Sequence, residues 1–213
     1  MNRRTVLLAL AVTALSAAGC TTAPTTGLQT APRPTAPDHS GQSLWHVIDK
    51  NGKTVAQLPD DDPLVTTVRK TVVLHSGIVD NRDHRTVATS AAGEFAFYNK
   101  GFAASLDSQH YKTKLERLFT DNRLATRQTS LAWYKSTFPE DRTTAKVDME
   151  TTIEFTAGDA AYLKAKQLAL HTPYTQRRTI SLAKTGDRWL IVAIEKNPLT
   201  RQAKTLPGGG DGR

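Results

Sequence analysis

The sequence predicts an α+β domain in which N-terminal helices pack on an antiparallel sheet of about four strands, carried after a flexible tether. Three observations predict it. Apolar residues recur at intervals of three and four between Pro63 and Phe119, the period of a helix face. From Gln128 the period becomes two, most plainly over 144–156, the period of a half-buried strand. Ahead of both lies a Thr/Pro/Ala-rich stretch, residues 21–43, with almost nothing to bury.

In chain order, residues 1–19 read as a leader. Asn2-Arg3-Arg4 gives a basic start, VLLALAVTALSAA (Val6 to Ala18) an apolar stretch, and Ala17-Ala18-Gly19 small residues before Cys20, the layout of a secretory signal. Residues 20–43 are the tether: repeated Thr, Pro and Ala fix backbone angles without supplying a core. In an extended polyproline-like state, about twenty such residues reach up to ~60 Å.

Residues 44–58 form a small hairpin. Leu44-Trp45-His46-Val47-Ile48 and Thr54-Val55-Ala56 flank Asn51-Gly52, and both turn positions tolerate positive φ. The α+β domain, 60–198, then starts on a helix from Pro63 to Val79: Asp60-Asp61-Asp62 precede Pro63, and Leu64, Val65, Val68 and Val72 share one face. The β-branched run Val72-Val73 makes a strand the rival there. Ala92, Phe95, Ala96, Asn99, Phe102, Ala103 and Leu106 predict a helix from Ser90 to Leu106. With Asp107-Ser108 as a cap, Tyr111, Leu115, Leu118 and Phe119 predict a shorter one.

Strands follow. Ala145, Val147, Met149, Thr151, Ile153 and Phe155 alternate with Lys146, Asp148, Glu150, Thr152 and Glu154, and Gln128 to Phe138 reads as the partner, turned at Pro139-Glu140-Asp141-Arg142. Asp159 to Leu170 has the spacing of a short helix. Thr179 to Lys184 pairs with Trp189 to Lys196 across Gly186-Asp187, and Trp189 to Ile194, apolar on both faces, suits a central strand. Residues 199–213 read as a disordered tail.

Composition narrows the function classes. The 213 residues carry 28 Lys and Arg against 20 Asp and Glu, a formal charge of +8, which falls to +6 once Arg3 and Arg4 leave with the leader. Both signs are interspersed and no basic stripe with interleaved aromatics occurs, so no nucleic acid partner is expected. Cys20 is the single cysteine, so an internal disulfide is excluded. The six histidines are scattered without a zinc spacing, and Asp60-Asp61-Asp62 lacks the alternating ligands of a calcium loop. No metal or other cofactor is expected. There is no Gly-x-Ser-x-Gly elbow and no phosphate-binding glycine loop.

Ala17-Ala18-Gly19-Cys20 resembles the lipobox of bacterial lipoproteins. That resemblance implies that Cys20 carries the lipid, palmitate included, and that the protein is exported and anchored on the extracytoplasmic side of the cell membrane. Arg3-Arg4 also resembles a twin-arginine export signal. The order of helices and then antiparallel strands, ending in GDRWLIVAIEKN (186–197), resembles the nuclear-transport-factor-two-like, or cystatin-like, fold. Within it the chain is most similar to actinobacterial Mce-associated proteins and periplasmic domains of conjugation components. The resemblance implies a curved sheet forming a cone with helices in its concavity.

Such a cone offers a site. Trp133, Tyr134, Tyr174 and Trp189, with Phe138, fall on strands or strand ends where they could line an apolar pocket or pack a core. Asp80, Asp83 and His84 in DNRDH, His110 and Asp148 are the candidate acids and bases, and each also fits a turn, cap or solvated face. No catalytic residue is assigned. The functional expectation is a non-enzymatic binding or assembly module with an envelope protein as partner. The alternatives are a small-molecule binder or isomerase-like enzyme using the cone, and an accessory subunit of a transport or secretion complex.

Overall fold

The computed structural model describes residues 43–202. Cys20, the leader, most of the tether and the end of the tail lie outside the described residues. Among the described residues the fold is α+β, with one curved, unclosed sheet of eight strands and five α-helices. Strand order is β2-β1-β4-β5-β6-β7, with β3 also pairing β5 and β8 pairing β6.

The hairpin comes first. β1 (Trp45–Ile48) and β2 (Thr54–Leu58) pair antiparallel, and Gly52 adopts φ +80° in the turn. β1 then pairs in parallel with β4 (Ser136–Pro139), which draws the hairpin into the main sheet. The reason is apolar: Trp45 and Val47 are buried, and Trp45 stacks 5.9 Å from Phe138 and 5.8 Å from Trp133. Strands therefore precede the helices, and the count exceeds four.

α1 (Pro63–Asp80) starts where the sequence places it. Asp62 caps it, its carboxylate accepting from the Leu64 amide at 2.8 Å, and Pro63 occupies the first turn, where a missing amide costs nothing. Val65, Val68 and Val72 are wholly buried against the sheet, and each contributes about 1.5–3 kcal/mol. Asp62→Ala is expected to lower stability by about 1 kcal/mol, read as a lower urea midpoint at unchanged slope.

The helix expected from Ser90 to Leu106 is broken. α2 (Val87–Glu94) runs into a 3-10 turn at Phe95–Phe97, Tyr98 turns extended, and α3 (Lys100–Ser108) restarts. Two bonds explain the break. The Asn99 amide donates to Ile191 at 2.9 Å, and the Asn99 side chain caps α3 by accepting from Phe102 at 2.7 Å. Residues 98 and 99 thus serve the sheet instead of the helix. α4 (Tyr111–Asp121) follows a left-handed His110, φ 55°.

One predicted strand over 128–138 is two, β3 (Ala125–Trp133) and β4, because Ser136 leaves β5 to donate its amide to Leu44 at 2.8 Å. β5 (Thr144–Ala157) pairs on one side with β3 and β4 and on the other with β6 (Pro173–Thr185). Between β5 and β6 lies α5 (Ala160–Ala165), capped by Asp159. β7 (Arg188–Lys196) pairs with β6, and β8 is Thr200–Arg201.

β7 is not central; it ends the sheet. Its apolar residues on both faces have a different cause. Ala193 pairs with Ser181 and Ile191 with Leu182, so Val192 is an extra residue in a bulge. The inward parity shifts there from Trp189 and Ile191 to Ile194 and Lys196.

Candidate functional site

Helices cover one face of the sheet, and that face holds two apolar clusters. The larger contains Val65, Val68, Val72, Val147, Met149, Ile180, Leu182, Trp189, Ile191 and Ile194. The smaller contains Val87, Phe119, Leu124, Ile153, Phe155, Leu163 and Tyr174. Between them the sheet changes chemistry. Along β5 the inward series is Met149, Thr151, Ile153; along β6 it is Tyr174, Gln176, Arg178, Ile180; along β7 it is Ile194, Lys196. Thr151, Arg178 and Lys196 form a polar layer across three strands, met from the helices by Asp80, Arg82 and Glu94.

Asp80, the last residue of α1, is 2% exposed and saturated. It accepts from Arg178 Nη2 at 2.6 Å and Nη1 at 3.1 Å, from the Thr151 hydroxyl at 2.9 Å and from the Gln128 amide at 3.3 Å. Arg178 Nε donates to Gln176 at 2.9 Å. The bidentate fork fixes the end of α1 onto β6.

The second pair is Arg82, just past α1, with Glu94 at the end of α2, both buried. Burial works to lower the Arg82 pKa, and its interactions with Tyr111 and Glu94 outweigh that, so the guanidinium stays charged. This pair is unsaturated. Among the described residues Arg82 Nε and Glu94 Oε1 are buried without a hydrogen-bond partner, as is His75 Nδ1.

His75 lies on α1 one turn before Asp80, with Nε2 3.0 Å from the Tyr98 hydroxyl. Its pKa is held well below the usual 6.5, first by burial, then by the positive charges of Lys196, Arg178 and Arg82. Tyr98 is pushed far above the usual phenol range by burial and by Glu94, and Tyr111 up to about 12 for the same two reasons. The imidazole is therefore neutral at pH 7.

A folded pKa below the unfolded one means that the unfolded chain binds the proton first as pH falls. His75 is expected to withdraw stability below about pH 6.5, at no more than about 1.4 kcal/mol per pH unit. Urea midpoints from pH 7 to 5 should fall less steeply in His75→Leu than in the wild type, by the equivalent of up to one proton.

The sequence-derived candidates disperse. Trp189 packs in the larger cluster, 6.2 Å from Phe138, and Trp133 borders that cluster with the Arg69 guanidinium 5.2 Å from its ring. Tyr174 belongs to the smaller cluster, edge-on to Phe155 at 5.9 Å. Tyr134 lies on the outer face under Arg177, 4.0 Å away. Asp148 is also on the outer face, accepting from Thr179 at 2.6 Å. Asp83 pairs with exposed Arg85 at 2.9 Å, which holds its carboxyl well below the usual range, and His84 borders Asp83 at 3.4 Å. Of all these residues, only Asp80 enters the polar layer.

Among the described residues no three His, Cys, Asp or Glu stand together in a way that could hold a metal ion. Nor is any described helix long and apolar enough to cross a membrane.

No family model matches the chain. No curated protein matches it in sequence. Among solved structures it is similar to an IcmL-like type IV secretion system protein from Legionella pneumophila, with a TM-score of 0.47 and 7% identity over 67% of this chain and 97% of that one. It is similar to the VirB8 protein of Agrobacterium tumefaciens, at 0.41 and 8% over 68% and 98%. The third is a TrwG component of a type IV secretion system from Bartonella birtlesii, at 0.36 and 13% over 62% and 91%. All three scores lie below 0.5 and assign no function to this chain.

Proposed function

We propose that this protein is an exported, lipid-anchored component of the cell envelope that acts without catalysis, as a binding or assembly module and an accessory subunit of a transport or secretion complex. The observation that carries the reading is the engagement of the inner-face acids. Asp80 spends its lone pairs on Arg178, Thr151 and Gln128, and Glu94 is wholly buried against Arg82. A general base must reach a substrate proton, and neither carboxylate is placed to do so.

Other features support the same reading. Val73 and Leu74 expose about half their surface on α1, and Val55 does so on β2, apolar positions available to a partner. The leader and Cys20 supply the address, and the Thr/Pro tether supplies reach. A curved sheet covered by helices on one face supports the cystatin-like cone.

The test is labelling of cells with a fatty-acid probe, with detergent partitioning and native sizing of solubilised envelope, for the wild type beside Cys20→Ala. The wild type should take the label, enter the detergent phase and run in a complex larger than the monomer. Cys20→Ala should lose label and partitioning. Equal labelling of both forms, or of neither, removes the anchor; monomeric migration of the anchored form removes the assembly role.

A further inference from the structure

We infer that residues 95–99 form a displaceable strap on the outer edge of β7, and that its release opens this edge to an extended segment of a partner protein, added as a further strand parallel to β7. The partner rests on the assembly reading above; the strap itself does not. The sheet ends on β7, and an end strand offers its unpaired backbone groups to any extended chain. Here a short segment of the protein's own occupies them. Tyr98, extended at φ −93° and ψ 145°, makes a parallel bridge with Ile191, and the Asn99 amide donates to the Ile191 carbonyl at 2.9 Å. The strap acts as a strand one residue long, and it shows the direction in which a longer one would run.

Its hold is slight. Among the described residues that bridge is the only pairing on the outer side of β7. A second polar tie lies in solvent, where exposed Arg188 donates from Nη2 to the Ala96 carbonyl at 3.0 Å. Phe95 and Phe102 pack 5.3 and 4.9 Å from the Tyr98 ring, yet both are only half-buried, and Ala96 is exposed.

The foot of the strap is incomplete. Among the described residues four buried side-chain atoms have no hydrogen-bond partner, and three of them adjoin it: Glu94 Oε1, Arg82 Nε and His75 Nδ1. Glu94 immediately precedes Phe95, Arg82 is its ion-pair partner, and His75 Nε2 stands 3.0 Å from the Tyr98 hydroxyl. Buried polar atoms without partners penalise the closed state, and lifting Tyr98 with its neighbours returns them to water. Local opening is drawn from such places, where apolar burial is partial and backbone bonds lie near solvent. Once the strap leaves, the Ile191 carbonyl has lost its donor, and an added strand supplies another.

The test uses the purified full chain. In native-state hydrogen exchange at low urea, the Tyr98 and Asn99 amides should be at least about 100-fold less protected than the slowest amides of β5 and β6, with little dependence on urea, as a local opening requires. Exchange of both amides only through global unfolding overturns the proposal.

The probe for the edge is a peptide of residues 94–102, which carries the strap's own pairing groups. In the wild type the strap competes with it, so its apparent affinity is reduced by the fraction open. Asn99→Pro removes the amide that donates to Ile191 and fits the φ of −72° at that position. Asn99→Ala keeps the amide and loses only the side-chain cap. The peptide should shift the amide resonances of Leu190 to Ala193 saturably, and should bind Asn99→Pro at least about tenfold more tightly than the wild type or Asn99→Ala. The same peptide N-methylated at its Asn99 amide should bind at least about tenfold more weakly. Arg188→Met, at an exposed site, should tighten binding about threefold and serves where Asn99→Pro does not fold. No saturable binding to a variant whose near-ultraviolet circular dichroism matches the wild type, or equal binding of the methylated peptide, overturns the proposal. Neither measurement needs an envelope partner, so monomeric migration of the solubilised protein would remove the assembly reading and leave the strap standing.

Discussion

Replacing Asp80 by alanine is expected to destabilise the fold by about 3–5 kcal/mol, the cost of leaving a buried charge without its partner. Arg178 is 3% exposed, and among the described residues its two terminal nitrogens donate only to Asp80. The same substitution frees Thr151 and Gln128 from the carboxylate. Arg178→Ala should cost a similar amount by the mirror argument. The pair Asp80→Leu with Arg178→Met should recover most of the loss, because an apolar layer of similar volume avoids desolvating either charge. Urea unfolding of the four proteins forms a double-mutant cycle. A loss below about 1 kcal/mol in either single variant would mean that water reaches the orphaned group, and the layer would be wetter than its burial implies.

Trp45→Ala is the second large effect, also about 3–5 kcal/mol. Trp45 is 1% exposed and packs between Trp133 and Phe138, so its ring joins the hairpin to the sheet. A two-stranded hairpin is marginal alone. Removing the ring should therefore loosen β1 and β2 together, and hydrogen exchange should accelerate at the amides of residues 45–58 well before those of β5 and β6. Uniform acceleration across the sheet would make the hairpin part of one cooperative unit with β5.

The sequence made some elements plain and concealed others for physical reasons. α1 and β5 were legible because their buried faces keep a single period, Val65-Val68-Val72 in one and Ala145-Val147-Met149 in the other. The break at Tyr98 was not legible, since Asn99 fits a helix until Ile191 offers its carbonyl, and that partner is distant in sequence. The central-strand reading of β7 failed on a bulge: Val192 carries apolar character to the other face without a third strand to cover it.

The polar layer was only half visible. Asp80 stands in a conspicuous DNRDH segment, but Arg178 lies just outside the strand expected from Thr179 to Lys184. The signal was present, since Arg178 shares parity with Ile180 and Leu182, and a charged residue on an inward parity asks for a buried partner. Glu94 gave no such sign, because its exposure is set by where α2 stops. The aromatic residues were judged by type, and type does not say which face of a bent sheet a ring occupies: Trp133 and Tyr134 are adjacent and diverge.

The parallel pairing of β1 with β4 also orders events in time. Trp45 meets Ser136 only after every helix from α1 to α4 has been made and led across the sheet. A chain delivered N-terminus first therefore presents its opening hairpin with no strand to join until β4 follows. Contacts of such long sequence separation slow folding. The first strand of the domain thus stays without its parallel partner until β4, Ser136–Pro139, has been made.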